Sequence, residues 1–157
     1  TTIWTNDNPV RMQIAQIVQD QLNAIGVNAT IEPLEWGSYL ERTARGEHDM
    51  FILGWTTVTA DPDYGLYALF HSSQFGGAGN RDFFSNPEVD KLLEEGRVAI
   101  DPTERESAYK KAQAIIMEQA PDIPLYYGTQ NVGAQKYIKG FELNPAGHHS
   151  LYNVSFE

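Results

Sequence analysis

Met50-Phe51-Ile52-Leu53-Gly54-Trp55-Thr56-Thr57-Val58-Thr59-Ala60-Asp61-Pro62-Asp63-Tyr64 is the stretch that decides the fold. Its apolar opening predicts a buried strand from Met50 to Trp55. Small and Thr-rich residues then predict a loop, and Leu66-Tyr67-Ala68-Leu69-Phe70 predicts a short helix. In an α/β sheet, ligands sit beyond the carboxyl ends of the strands. A Trp face, bare backbone and two carboxylates at such a place make this the candidate binding loop.

The upstream sequence tells what kind of sheet this strand joins. Ile3 to Thr5 predicts a short strand. Asn8-Pro9 opens a helix, with Asn as N-cap and Pro at the first helical position. Ile14, Ile17, Val18, Leu22 and Ile25 form its apolar stripe, and Gly26 ends it in a left-handed cap. Val27, Ala29 and Ile31 alternate with polar residues as a strand does. Glu35-Trp36-Gly37-Ser38 leads into a second helix, which Gly46 closes. The order β-α-β-α-β implies an α/β fold with largely parallel strands and helical crossovers.

Downstream, Ser72 to Ser85 is a long Gly-rich connection, and Gly76-Gly77-Ala78-Gly79 within it reads as a flexible rim loop. Asn86-Pro87 and Asp101-Pro102 open two further helices, the second with Glu104 at the capping-box position. Val89, Leu92 and Leu93, with Ala99 and Ile100 as further candidates, face inward from one. Ala108, Ala112, Ile115 and Ile116 do so from the other, which Pro121 stops. Ile123-Pro124-Leu125-Tyr126-Tyr127 reads as an edge or irregular strand. The remainder to Glu157 has weak alternation and no helical period.

With 157 residues, 41% of them hydrophobic, the chain is long enough for one globular core. A formal charge of −10, with no Lys/Arg cluster, argues against nucleic acid and against an electrostatic grip on anionic lipid. Without cysteine there is no disulfide, thiolate site or Cys nucleophile. The abrupt start on Thr1-Thr2-Ile3-Trp4 suggests a piece of a longer chain.

Few residues carry a chemical signature. Asp61 and Asp63 flank Pro62 and form a carboxylate pair that a hydrolase could use. A turn, with Asp63 as N-cap of the following helix, is the competing assignment. His71, His148 and His149 lack metal-ligand spacing, so no metal or other cofactor is expected; exposed or capping roles suit them, and His48 is similarly unremarked. Arg81, beside Asn80, has the fork to bind a carboxylate. Trp55 caps the core, walls a ligand site, or does both. Trp4 and Trp36 are expected to pack structure.

Ordered blocks along the whole chain resemble the C-terminal part of the family 5 solute-binding proteins of ABC transporters. They include Gln21-Leu22-Asn23-Ala24-Ile25-Gly26-Val27, Glu35-Trp36-Gly37-Ser38-Tyr39-Leu40, Gly46-Glu47-His48-Asp49, Gly54-Trp55 and Asp61-Pro62-Asp63. Leu69-Phe70, Ser85-Asn86-Pro87, Tyr109-Lys110-Lys111-Ala112-Gln113, Gln119-Ala120-Pro121, Lys139-Gly140-Phe141 and Asn153-Val154-Ser155 continue the series. The resemblance implies one lobe of a two-lobed, hinged, periplasmic-binding-protein-like fold of type II. Residues 1–127 would form the distal ligand-binding lobe, and residues 128–157 a return segment packing on the first lobe.

The same resemblance implies an extracytoplasmic, non-catalytic, monomeric receptor, periplasmic or lipid-anchored, that passes peptides to the membrane permease of an ABC importer. Two departures bear on the ligand. Dipeptide and oligopeptide binders place an amine-binding Asp where this chain has Val58. Dipeptide binders also place a carboxylate-binding Arg where it has Trp4-Thr5-Asn6-Asp7-Asn8, with no Arg before Arg11. Oligopeptides held largely through backbone fit best, with Trp55, Thr56, Thr57, Val58, Asp61 and Arg81 as the site. Asp61 would serve as amine partner and Arg81 as carboxylate partner. Glutathione, nickel complexes or another small solute are the alternatives within transport. A hydrolase on Asp61 and Asp63, and an interaction module built on the aromatic tail, are the alternatives outside it.

Overall fold

A computed structural model describes Thr1–Glu157. Three parallel strands form its sheet, in the order β2-β1-β3: β1 Thr2–Thr5, β2 Thr30–Pro33 and β3 Met50–Phe51. Helix α1 (Pro9–Ala24) links the first two strands, and α2 (Trp36–Ala44) links the second to the third. The predicted β-α-β-α-β order is therefore present, with parallel pairing at both joints. The start of α1 forms as expected. Asn8 Oδ1 accepts from the Val10 and Arg11 amides, and Pro9 follows it. At the other end, Gly26 at φ 86° lets its own amide reach Asn23 O while the Val27 amide reaches Leu22 O. These paired bonds close the helix with a left-handed residue that a side chain would strain.

Two apolar clusters form the core. Ile3, Ala15 and Ala29 pack with Val18, Leu22, Ile31, Met50 and Ile52 between α1 and the sheet. Trp4 points the other way, under the Arg42 guanidinium of α2 at 4.2 Å from the ring centre. A second, larger cluster joins α3 (Pro62–Phe70), α4 (Pro87–Val98) and α5 (Pro102–Gln119) through Phe70, Val89, Leu93, Tyr109, Ala112 and Ile116. Burying side chains such as Val89 and Leu93 contributes about 1.5–3 kcal/mol each. Both starts follow the Asx-Pro pattern: Asn86 caps Glu88 and Val89, and Asp101 caps Thr103 and Glu104.

Several sequence-based expectations need correction. The strand ends at Phe51 instead of Trp55, because only Ile52 N still pairs with β1, through Trp4 O. Strand β2 starts at Thr30, later than the alternation from Val27 implied. Ile17, Ile25 and Ile100 are exposed, whereas Ala15 and Tyr109, small or polar-tipped residues, take core positions. The 72–85 connection is a packed structure and not a flexible rim. Two 3-10 turns, Ser72–Gln74 and Gly76–Ala78, wrap around the fully buried Asn80. Asn80 Nδ2 donates to His71 O and Phe84 O, and its Oδ1 accepts from Phe84 N. A Cβ on Gly76 would strike the Ala44 carbonyl oxygen, which explains a glycine here at φ 74°.

Residues 120–157 contain only a two-stranded antiparallel ribbon, β4 (Ile138–Lys139) with β5 (Ser155–Phe156). The Ile123–Tyr127 segment forms no strand, and Ile123, Tyr126 and Tyr127 lie exposed. No helix is long and apolar enough to cross a membrane.

Candidate functional site

Three short stretches of chain leave the carboxyl ends of the three strands. Asn6 to Asn8 leave β1, Leu34 and Glu35 leave β2, Ile52 to Trp55 leave β3, and α1 and α2 begin there. Because β3 lies at the edge of the sheet, its continuation has no neighbour on the outer side. The Ile52 carbonyl is instead anchored from inside, by the hydroxyl of the fully buried Tyr39 at 2.8 Å. Burial pushes that hydroxyl's pKa up to about 12, so it remains a donor.

Beyond Ile52 the backbone opens. Gly54, Trp55 and Thr56 are exposed, and their amide and carbonyl groups make no hydrogen bond within the chain. Thr57 O accepts from Ala60 N, which turns the chain into α3. Trp55 is held as one wall of this opening. Its ring packs 5.2 Å from that of Tyr64, its Nε1 donates to Tyr64 O at 3.1 Å, and about a third of it stays exposed, at 36%. Val58 is exposed as well. An extended run of unpaired amides and carbonyls beside a fixed indole is suited to pairing with another extended chain.

The two acids of the loop do structural work. Asp61, not Asp63, is the N-cap of α3, because Pro62 occupies the first helical position. Asp61 Oδ1 accepts from Asp63 N and from Arg105 Nη2, both at 2.8 Å. The Arg105 bond, then the amide bond, holds the Asp61 carboxyl below the usual carboxylate range. Asp63 faces Arg97 at 3.2 Å. Each carboxylate is thus turned to its own arginine, and the pair does not converge on a shared space as acid–base hydrolysis requires. Asp61 is accordingly committed to a cap and an ion pair, which counts against its expected role as free amine partner.

Arg81 likewise departs from expectation. It is buried, with Nε donating to Thr43 Oγ1 at 3.2 Å, and no exposed fork is left for a ligand carboxylate. The histidines are dispersed. His71 is buried, stacks on Tyr67 at 4.2 Å, and caps a 3-10 turn through Ser73 N. His149 accepts from Asn144 N, and His148 lies along a tail hollow of about 330 Å³ with Asn144, Ser150 and Asn153. His48 is half-buried against Phe51.

One residue at the strand ends escaped the sequence reading as a site residue. Arg11, in the first turn of α1, reaches over the opening. Its Nη1 donates to Asn6 Oδ1 at 3.1 Å and its guanidinium lies 5.5 Å from the Trp36 ring centre. Trp36 is half exposed here, a packing partner for Tyr39 and Arg11 more than a core residue. An arginine in a first helical turn, where acids are favoured, was the available signal.

Residues 1–77 match a family model described as bacterial extracellular solute-binding proteins, family 5 Middle. A dipeptide-binding protein of Escherichia coli (strain K12) is 32% identical over 150 residues, covering 96% of this chain and 28% of that protein. A solved structure of the ABC transporter-associated periplasmic binding protein DppA from Helicobacter pylori, in complex with the peptide STSA, superposes with a TM-score of 0.84 at 35% identity. It covers 100% of this chain and 31% of that one. The oligopeptide-binding protein AppA from Bacillus subtilis, in complex with a nonapeptide, gives a TM-score of 0.84 at 29% identity, over 99% of this chain and 31% of that one. The chain thus spans less than a third of the length of these relatives.

Proposed function

We propose that this chain, which is similar to family 5 of the bacterial extracellular solute-binding proteins, is the distal lobe of a peptide receptor that serves an ABC importer. The observation that carries this reading is the unpaired backbone of Gly54 to Thr56 beside Trp55, at the carboxyl end of the sheet. A peptide laid there adds a strand to the edge left open beyond β3. Main-chain bonds supply affinity that tolerates many side chains, and the Trp55 face supplies apolar contact. Residues 1–127 form this lobe and residues 128–157 return to the other one. The receptor works outside the cytoplasm, as a monomer without catalysis, and delivers its ligand to the permease subunits.

Valine at position 58 cannot pair with a peptide ammonium group, so the amino terminus is not gripped from this position. That favours oligopeptides over strict dipeptides. Calorimetry with a pool of tri- to pentapeptides is the test, on this chain and on the intact receptor, with glutathione and nickel–histidine as rival ligands. We expect micromolar or tighter binding of peptides to the intact receptor, and at least 100-fold weaker binding to this chain, because half the cleft is absent. Trp55→Ala should weaken the intact receptor roughly tenfold or more, the loss expected for a buried aromatic anchor. Preference for either rival over every peptide would overturn the peptide assignment, and equal affinity of this chain alone would overturn the two-lobed site.

A further inference from the structure

Arg11 differs from every other arginine of the chain. Arg42, Arg45, Arg97 and Arg105 each hold a carboxylate, and Arg81 is buried against Thr43. Arg11 has no acidic partner, although the chain carries a net charge of −10. It is half-buried, so its cation is partly stripped of water without a counter-charge to offset the loss. Its position is nevertheless fixed by three elements. Asn6, just after β1, takes one Nη1 proton; Trp36, opening α2, lies beside the guanidinium; and Gly54, just after β3, borders Nη2 at 3.5 Å from where a Cβ would sit.

The geometry leaves a defined recognition edge. Only Nη1 has a hydrogen-bond partner within the chain, so Nε and Nη2 remain as a parallel pair of donors. That side of a guanidinium matches the two oxygens of a carboxylate. Proximity to Gly54 places the pair near the start of the open backbone that runs through Trp55 and Thr56. We infer that Arg11 is the carboxylate anchor of the bound peptide. This rests on the peptide-receptor reading above and deepens it: the ligand carries a free carboxylate near the Gly54 end of the groove, either its C-terminus or an acidic side chain. The pre-positioned fork lowers the ordering cost of binding, as a loose lysine would not.

The test needs no variant to begin. Three peptide pools are titrated into the intact receptor: tri- to pentapeptides with free C-termini, the same pool C-terminally amidated, and the same pool with Asp and Glu replaced by Asn and Gln. One of the two modified pools should bind about 30-fold more weakly, the range of a charge-assisted pair, and which one identifies the source of the carboxylate. In Arg11→Gln that difference should collapse to within about threefold, while Arg11→Lys should recover part of it. Equal affinity of all three pools for the wild-type receptor would overturn the anchor, and so would undiminished discrimination by Arg11→Gln. If no pool binds the wild type at all, the peptide-receptor reading itself falls, and the anchor with it.

Discussion

At the scale of single residues, the site depends on a few side chains that shape backbone. Tyr39 is the clearest case, because its hydroxyl satisfies the Ile52 carbonyl just beyond β3. Tyr39→Phe leaves that carbonyl without its buried partner. We expect a loss of about 1–2 kcal/mol in unfolding free energy, measured by urea denaturation, with weaker peptide binding by the intact receptor. A variant as stable as the wild type would show that solvent replaces the bond at no cost. Residues of this kind were hard to identify in the sequence. Trp55 was legible because a Trp at the end of an apolar run is unusual, whereas Arg11 was not, because its lack of an acidic partner is a property of spatial neighbours. Asp61 and Asp63 were read as a pair from their spacing, yet Arg105 and Arg97 come from other helices and separate them.

At the scale of elements, the helix starts were legible except that of α3, where the cap is Asp61 and not Asp63, and the strand ends were not. Asn or Asp followed by Pro opens α1, α3, α4 and α5, since capping depends on groups within a few residues of each other. The end of β3 depends on a partner strand that stops, which no local pattern records. The 72–85 connection shows the same limit, since its glycines read as flexible while Asn80 makes them compact. This connection also meets the end of α5 through two acids, Asp82 and Asp122. Burial, then repulsion by Asp122, pushes the Asp82 pKa up to about 7. A carboxyl raised above its unfolded value of about 3.9 favours the folded state while protonated. Its stabilisation is complete below about pH 4 and is lost as pH rises through about 7. Asp82→Asn should therefore flatten the fall in melting temperature across that window and raise Tm at pH 8 by about 2–4 °C. Parallel Tm–pH curves for variant and wild type would refute the coupling.

At the scale of the whole molecule, the sheet unit and the α3–α5 cluster carry the packing, while the final segment adds little to it. Neither hydrophobic cluster includes a residue beyond Ile116, and the tail leaves Leu151, Tyr152 and Phe156 exposed. Removal of residues 128–157 is expected to shift Tm by less than about 3 °C, in keeping with surface changes of roughly 0.5 kcal/mol. Scanning calorimetry checks this, and a collapse of cooperative unfolding would assign the tail a part in the core. Under the proposed return of residues 128–157, a second lobe would cover these apolar residues.

The sequence by itself determined the α/β class, the parallel order of the first strands, most of the helix starts and the likeness to the family 5 solute-binding proteins. Those properties rest on periodicity, caps and blocks of neighbouring residues, all of which are local. Only the tertiary structure decided where the sheet edge opens, which acids are already paired, that Arg81 is enclosed and that Arg11 is left with a free fork. Each of these is a statement about which groups remain unsatisfied after folding, and that depends on contacts between residues far apart in the chain.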